Sequence, residues 1–422
     1  MQCGVNKSIA DRDPDLPGLN VLLNAHALTE KLCEHDIRVE GIPQIIYVRY
    51  KPGRRCISLV QVDPSDSVQW FVLTALTKYD FLKQFKKGTS WEASPSRQEA
   101  AQSIRIDRFP FDPGLKHVAK CFDETNRQRL FRRIFADGSE IEPSNFGVAT
   151  LAYKPGKRYV AVGCQPQKTF KFYCAYQYMP TLRRLLGIQS ADIGPPKLER
   201  YNERYRVAAF EWVDGHLLSD ALGSEGSHDA TCCEVGRQLA RLHHCRIPAK
   251  AELSAIAHPL EELAGYIAFL VPELKPLADE VVSGINASLV ADHTAVGLIH
   301  GDFYAKQVIC APGRIRFIDF DQAGLGNPYR DVGNFVAKLY WQSVSLNQEL
   351  TLAENCAESF LRGYRHGIFR FDEHAYRVQL SAGLVRCATH PFRRARKNWP
   401  KVTERLLLLA RSVLRQSTAG QP

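Results

Sequence analysis

The chain has 422 residues and a mass of 47.6 kDa, room for two or three domains with a sizeable core. Its 45% apolar and 24% charged content is an ordinary globular balance and excludes a disordered or fibrous chain. The longest apolar run, Leu263 to Val271, is too short to cross a bilayer. Met1 to Pro17 is polar, with no apolar centre of signal-peptide length, so a soluble cytoplasmic protein without a membrane partner is expected.

A formal net charge of +10 favours anionic partners. No nucleic-acid motif accompanies the charge, which argues against nucleic acid. A nucleotide and a phosphorylated or acidic substrate account for the sign equally well. Twelve cysteines show no C-x-x-C pair and read as reduced thiols in the core. The sequence carries no signal for oligomeric state.

In chain order, apolar spacing predicts a helix over Leu19 to His35, then a hairpin from Pro43 to Val62 turning at Pro52-Gly53. A strand follows over Gln69 to Thr77, then the basic helix-like FLKQFKK. Residues 88–104 are polar and read as loop. A Pro-punctuated connector at 108–115 leads to a helix near 117–135. Tyr50-Lys51-Pro52-Gly53-Arg54-Arg55 recurs as Tyr153-Lys154-Pro155-Gly156-Lys157-Arg158, a short echo consistent with an internal repeat. Lys78 is a rough counterpart of Lys171.

Past the second turn, Thr169 to Tyr176 reads as a strand carrying Lys171 and Met179 to Leu186 as a helix. Strands at Leu198 to Tyr201 and Tyr205 to Trp212 come next. Helices are predicted at Cys232 to His243, 258–272, 274–291, 331–343, 350–366, 373–388 and 401–415. The basic connector 390–400 is read as a surface loop, with the lining of a substrate cleft as the alternative.

The chemistry concentrates between Leu298 and Phe335. His300-Gly301-Asp302 forms a turn, Gln307 follows five residues after that Asp, and a short strand from Arg314 delivers Asp319-Phe320-Asp321. Two carboxylates held apart by a loop and a strand suit phosphoryl transfer. One takes the proton of an incoming hydroxyl, and the other holds the divalent ion on the phosphates. The ordered set HGDFYAKQV, FIDFD and GNPYRDVGNF resembles the core of the aminoglycoside phosphotransferase / choline kinase-like family, within the protein-kinase-like fold.

That resemblance implies an α+β, two-lobed protein-kinase-like fold. Its strand-rich upper lobe and hinge would span 146–215 and its helical catalytic lobe 216–422, behind an N-terminal α/β extension over 1–145. It implies a phosphotransferase using ATP and Mg²⁺, with an alcohol group on a sugar, amino sugar or amino alcohol as acceptor. By the same resemblance Asp302 is the catalytic base, and Asp319, Asp321 and Gln307 face the metal, Gln307 replacing the family's common asparagine. Lys171 contacts phosphates, with Lys78 as the alternative. Peptides near Glu211 to Val213 hold the adenine edge, and His300 and Asp331 support the catalytic loop.

Three departures keep a second reading open, a pseudokinase-like nucleotide-binding module. Gln307 is one. The helix MPTLRRLLG has no glutamate to pair with Lys171, and no glycine-rich loop precedes that lysine. The Pro155-Gly156 turn is the candidate to contact phosphates instead.

Overall fold

The computed structural model describes residues 8–63, 69–85, 96–99, 101–135, 147–164, 167–189, 191, 193–222, 228–246, 259–290 and 296–418. Sheets and helices are both abundant, as the α+β class requires. The chain divides into two compact units. One comprises Met1–Ala175, Asn202–Val207 and Pro391–Trp399; the other comprises Tyr176–Tyr201, Ala208–His390 and Pro400–Pro422. Among the described residues no helix is long and apolar enough to cross a membrane.

In the first unit the single helix expected at Leu19 to His35 is two, α1 (Leu19–Leu23) and α2 (Ala25–Glu34). Asn24 between them accepts hydrogen bonds from the backbone N–H groups of His26 and Ala27, and this cap starts a new helix. Strands β1 (Gln44–Lys51), β2 (Arg55–Gln61) and β3 (Trp70–Leu76) form an antiparallel meander, followed by helix α3 (Lys78–Phe85). β4 (Ser96–Glu99) lies where loop was expected, and with β5 (Ile104–Arg108), which starts at the end of that stretch, it extends the sheet in the order β1-β2-β3-β5-β4. Ile104 and Ile106 turn inward on β5, but SRQE in β4 is joined by backbone hydrogen bonds that a polar sequence does not advertise. The helix expected near 117–135 is likewise split. A 3₁₀ turn at Val118–Cys121 precedes α4 (Glu124–Ile134), which Asp123 caps.

A second meander follows, β6 (Val148–Lys154), β7 (Arg158–Cys164) and β8 (Gln167–Tyr173). Its turn matches the first in detail. Gly53 and Gly156 have φ of +66° and +63°, a conformation a residue with a Cβ resists. Asp13 accepts from the Tyr50 hydroxyl (2.5 Å) and the Gly53 N–H (2.9 Å). Asp112 does the same for Tyr153 (2.8 Å) and Gly156 (2.6 Å). The two turns meet where Arg49 donates to the Pro155 carbonyl at 2.8 Å, and Trp70 of β3 stacks on Tyr153 of β6.

This clamp has two consequences for the sequence reading. The Gly156 and Lys157 amides are spent on Asp112 and the Lys154 carbonyl, so the Pro155-Gly156 turn has side chains to offer a phosphate but not these two backbone donors. The sheet register also corrects the pairing of Lys78 with Lys171. Arg55 pairs with Leu76 and Ile57 with Thr74, as Arg158 pairs with Tyr173 and Val160 with Lys171. Buried Thr74 therefore holds the place of Lys171, while Lys78 opens α3. Removing one clamp should be costly. Asp112→Ala is expected to lower stability by about 2–4 kcal/mol, since the Tyr153 hydroxyl and the Gly156 N–H lose their acceptor together, and a urea titration against wild type measures it.

The basic connector at 390–400 is not the surface loop expected of its charge. Phe392 and Trp399 are 3% and 1% exposed, their rings 5.1 Å apart, with Phe392 also 6.3 Å from Tyr50. Two aromatics hidden in a run of cations supply the apolar anchor.

Next along the chain come α5 (Ala175–Ile188), β9 (Leu198–Asn202), β10 (Val207–Glu211) and β11 (His216–Leu217). The second unit is then largely helical, with α6 (Asp229–His243), α7 (Leu260–Leu270) and α8 (Lys275–Val290) ahead of four short strands. After the strands come α9 (Tyr329–Ser345), α10 (Thr351–His366), α11 (Glu373–Ala388) and α12 (Trp399–Thr418). Each predicted helix from Cys232 onward has its counterpart. Helices α9 and α11 cross closely. A Cβ added at Gly333 would stand 2.6 Å from the Gln379–Leu380 peptide, so only a bare backbone fits there.

Candidate active site

The site is built on four short strands of the second unit: β12 (Gly297–Ile299), β13 (Val308–Ala311), β14 (Arg314–Phe317) and β15 (Gly324–Gly326). Pairing of β12 with β15 and of β13 with β14 sets the His300-Gly301-Asp302 turn against the strand end that delivers Asp319. The His300 ring spans the two, its Nε2 2.8 Å from the Ile318 carbonyl and its plane tilted against Phe320, ring centres 4.6 Å apart. With Nε2 engaged there, the imidazole orients the loop.

Asp331 lies in the first turn of α9 and is fully buried. It does not cap the helix. Asn327 Oδ1 takes the Tyr329 N–H, and the Asp331 carboxylate instead accepts the amides of His300 (2.5 Å) and Gly301 (2.9 Å). His243 Nε2 is 3.4 Å from the same carboxylate, and its Nδ1 is 2.8 Å from the Tyr364 hydroxyl. Burial lowers the His243 pKa against the pull of Asp331. Burial acts to raise the Asp331 pKa, but the bonds and charges of His243 and His300 outweigh it, and the net shift is downward. The stable arrangement is an anionic Asp331 accepting from a neutral imidazole, which in turn accepts from tyrosine.

Asp302 is half-buried at the loop tip, and Asn334 of α9 donates to the next residue's carbonyl, Phe303 O, at 2.8 Å. Asp319 has φ +65° and ψ +48°, left-handed backbone that a non-glycine residue adopts at a cost of about 1 kcal/mol. Its carboxylate meets the Gln307 side chain at 3.4 Å, and the Gln307 carbonyl holds the Ile318 N–H at 2.9 Å. The Asp321 carbonyl receives Arg184 of α5 at 3.1 Å. Gln307 and Asp319 thus bring an amide and a carboxylate together, the kinds of hard oxygen donor Mg²⁺ takes, and Asp321 lies two residues beyond.

The Glu211 carboxylate is engaged by Arg316 (2.6 Å) and the Lys197 N–H (3.0 Å). Partial burial would raise its pKa, but those two partners lower it. No protein hydrogen bond reaches the Val213 peptide among the described residues. Lys171 stands mid-strand in β8 of the first unit, 9% exposed.

Sequence reasoning missed His243, Tyr364, Asn334 and Arg184. His243 was legible, since Val235, Leu239 and Leu242 mark the buried face on which it lies. Tyr364 carries no comparable signal, because its partner is 121 residues away.

Residues 180–377 match the model of the phosphotransferase enzyme family. No curated protein matches the sequence. Among solved structures, a choline/ethanolamine kinase family protein from Mesorhizobium loti is similar at 12% identity and TM-score 0.49, over 70% of this chain and 95% of that one. Ethanolamine kinase from Plasmodium vivax is similar at 10% identity and TM-score 0.47, over 67% and 86%. ADP-bound aminoglycoside phosphotransferase APH(2″)-Ib is similar at 16% identity and TM-score 0.46, over 68% and 97%.

Proposed function

From the premise that residues 180–377 belong to the phosphotransferase enzyme family, we propose that this protein transfers the γ-phosphoryl group of ATP to a hydroxyl of a small molecule in the sugar, amino sugar or amino alcohol range. The observation that carries the reading is the Asp331 brace, which locks the turn bearing Asp302 while leaving that carboxylate half-exposed. In this reading 146–215 is the upper lobe and hinge, 216–422 the catalytic lobe, and 1–145 an extension.

Asp302 orients the acceptor hydroxyl and takes its proton as the new bond to phosphorus forms. Asp319 and Gln307, with Asp321 beside them, would hold Mg²⁺, which supplies charge neutralisation on the phosphates. With its amide turned from the orientation that donates to Asp319, Gln307 would offer the ion an oxygen donor. The Val213 peptide is the adenine-facing edge, and Lys171 serves the phosphates as a point charge. His300 and Asp331 position the loop. A cytoplasmic setting, where ATP is plentiful, suits this chemistry.

A panel of hydroxyl compounds, incubated with Mg·ATP and followed by ADP release and phosphate incorporation, tests the proposal. Acceptor-dependent turnover is expected. Nucleotide binding with no turnover on any acceptor would favour a catalytically weak, pseudokinase-like binding module, the reading that Gln307 and the glutamate-free α5 support.

A further inference from the structure

Phe303 is fully buried, whereas Asp302 before it and Tyr304 after it are half-buried. The backbone at Tyr304 is extended, with φ −169° and ψ 173°, and along extended chain alternate residues point the same way. Asp302 and Tyr304 therefore share the side of the turn opposite Phe303.

Helix α9 is fastened to this stretch where Asn334 donates to the Phe303 carbonyl at 2.8 Å. One turn further along α9 comes Lys338. Its ammonium lies 5.0 Å from the centre of the Tyr304 ring and 5.6 Å from that of Trp341. Its Nζ also donates toward Nδ1 of His390, just past α11, at 3.3 Å, and the His390 ring stands edge-on to Trp341 at 5.3 Å. Two ring faces within about 6 Å of one cation make a seat for an ammonium. Here a side chain of the protein itself fills that seat.

Tyr304, Lys338, Trp341 and His390 are all half-buried, so none of the four is sealed in the core. Lys338 meets no carboxylate among the described residues, and its charge is left to act on whatever binds beside Tyr304. An acceptor whose hydroxyl reaches Asp302 comes next to that ring. An amino group on the acceptor's neighbouring carbon would find the ring faces taken and a like charge in front of it, in a partly desolvated place where repulsion is strong.

We propose that Lys338 is a specificity-determining residue that keeps ammonium-bearing acceptors out, so that the molecule giving its proton to Asp302 is an uncharged polyol of the sugar kind rather than an amino sugar or an amino alcohol.

The proposal rests on the kinase reading, and acceptors matched except for one amino group test it. Glucose is set against glucosamine and ethylene glycol against ethanolamine, at neutral pH with Mg·ATP. The neutral member is expected to exceed its amine in kcat/KM by about 10- to 100-fold, the effect of unit charges roughly 6–10 Å apart at an effective dielectric of about 20. Lys338→Met keeps the length of the side chain and drops its charge. It should raise kcat/KM for the amines by about 10-fold and leave the neutral members within about 3-fold of wild type. Lys338→Arg, which keeps the charge, should keep the wild-type ranking. Faster wild-type turnover of glucosamine or ethanolamine, or an unchanged ranking in Lys338→Met, overturns the proposal while leaving a kinase. Should no compound turn over, the kinase reading fails on its own. Calorimetric titration of tetramethylammonium then decides the seat: binding gained in Lys338→Met over wild type sustains it, and equal affinity in the two ends it.

Discussion

Asp302→Asn should lower the turnover of ATP-dependent phosphorylation by about 10²–10⁴-fold, the usual contribution of a positioned general base. The amide keeps the size and can still orient a hydroxyl, but it cannot take the proton. The loop itself should not move, because its hold comes from Asp331 on the His300 and Gly301 amides and from Asn334 on the Phe303 carbonyl. Nucleotide affinity should therefore be unchanged. Steady-state kinetics on the best acceptor, with a nucleotide titration beside them, check both halves. Turnover within a few-fold of wild type would remove Asp302 from the chemistry.

Asp331→Ala should cost about 3–5 kcal/mol of stability and most of the turnover, because it removes a buried anion that accepts three hydrogen bonds and leaves their donors without an acceptor. Two backbone amides and the His243 ring would lose their acceptor at once. Urea unfolding measures the loss. The same cluster sets a pH signature. His243 has a folded pKa below its ordinary 6.5, so between the two values the unfolded chain binds the proton and the folded one does not. The associated stability is complete above about pH 6.5 and falls as the pH drops below it, by at most about 1.4 kcal/mol per unit. Asp331 is also shifted down, from 3.8, so its contribution fades only in stronger acid. Comparing unfolding at pH 7.5 and 5.5 in wild type and His243→Gln should show a shallower slope in the variant.

How much could be read beforehand followed from how local each signal is. The helices after Cys232 advertise themselves through apolar spacing along their own length. His300, Asp302, Gln307 and Asp319 fall within twenty residues, so a loop and one hairpin suffice to gather them. What escaped needs partners that spacing cannot supply. Polar β4 is a strand only because β5 lies beside it. Thr74, not Lys78, matches Lys171 because of which residues face each other across two sheets. Asp13 and Asp112 look like loop acids until Tyr50 and Tyr153 are found against them.

The route of the chain also has a cost during translation. The first unit takes its last piece from Pro391–Trp399, so the ribosome makes the Ala208–His390 part of the second unit while the first is still unfinished. Until Phe392 emerges, the face of Tyr50 that it covers stays bare for chaperones or for other nascent chains. A message truncated anywhere before that codon yields a chain with an unsealed aromatic surface.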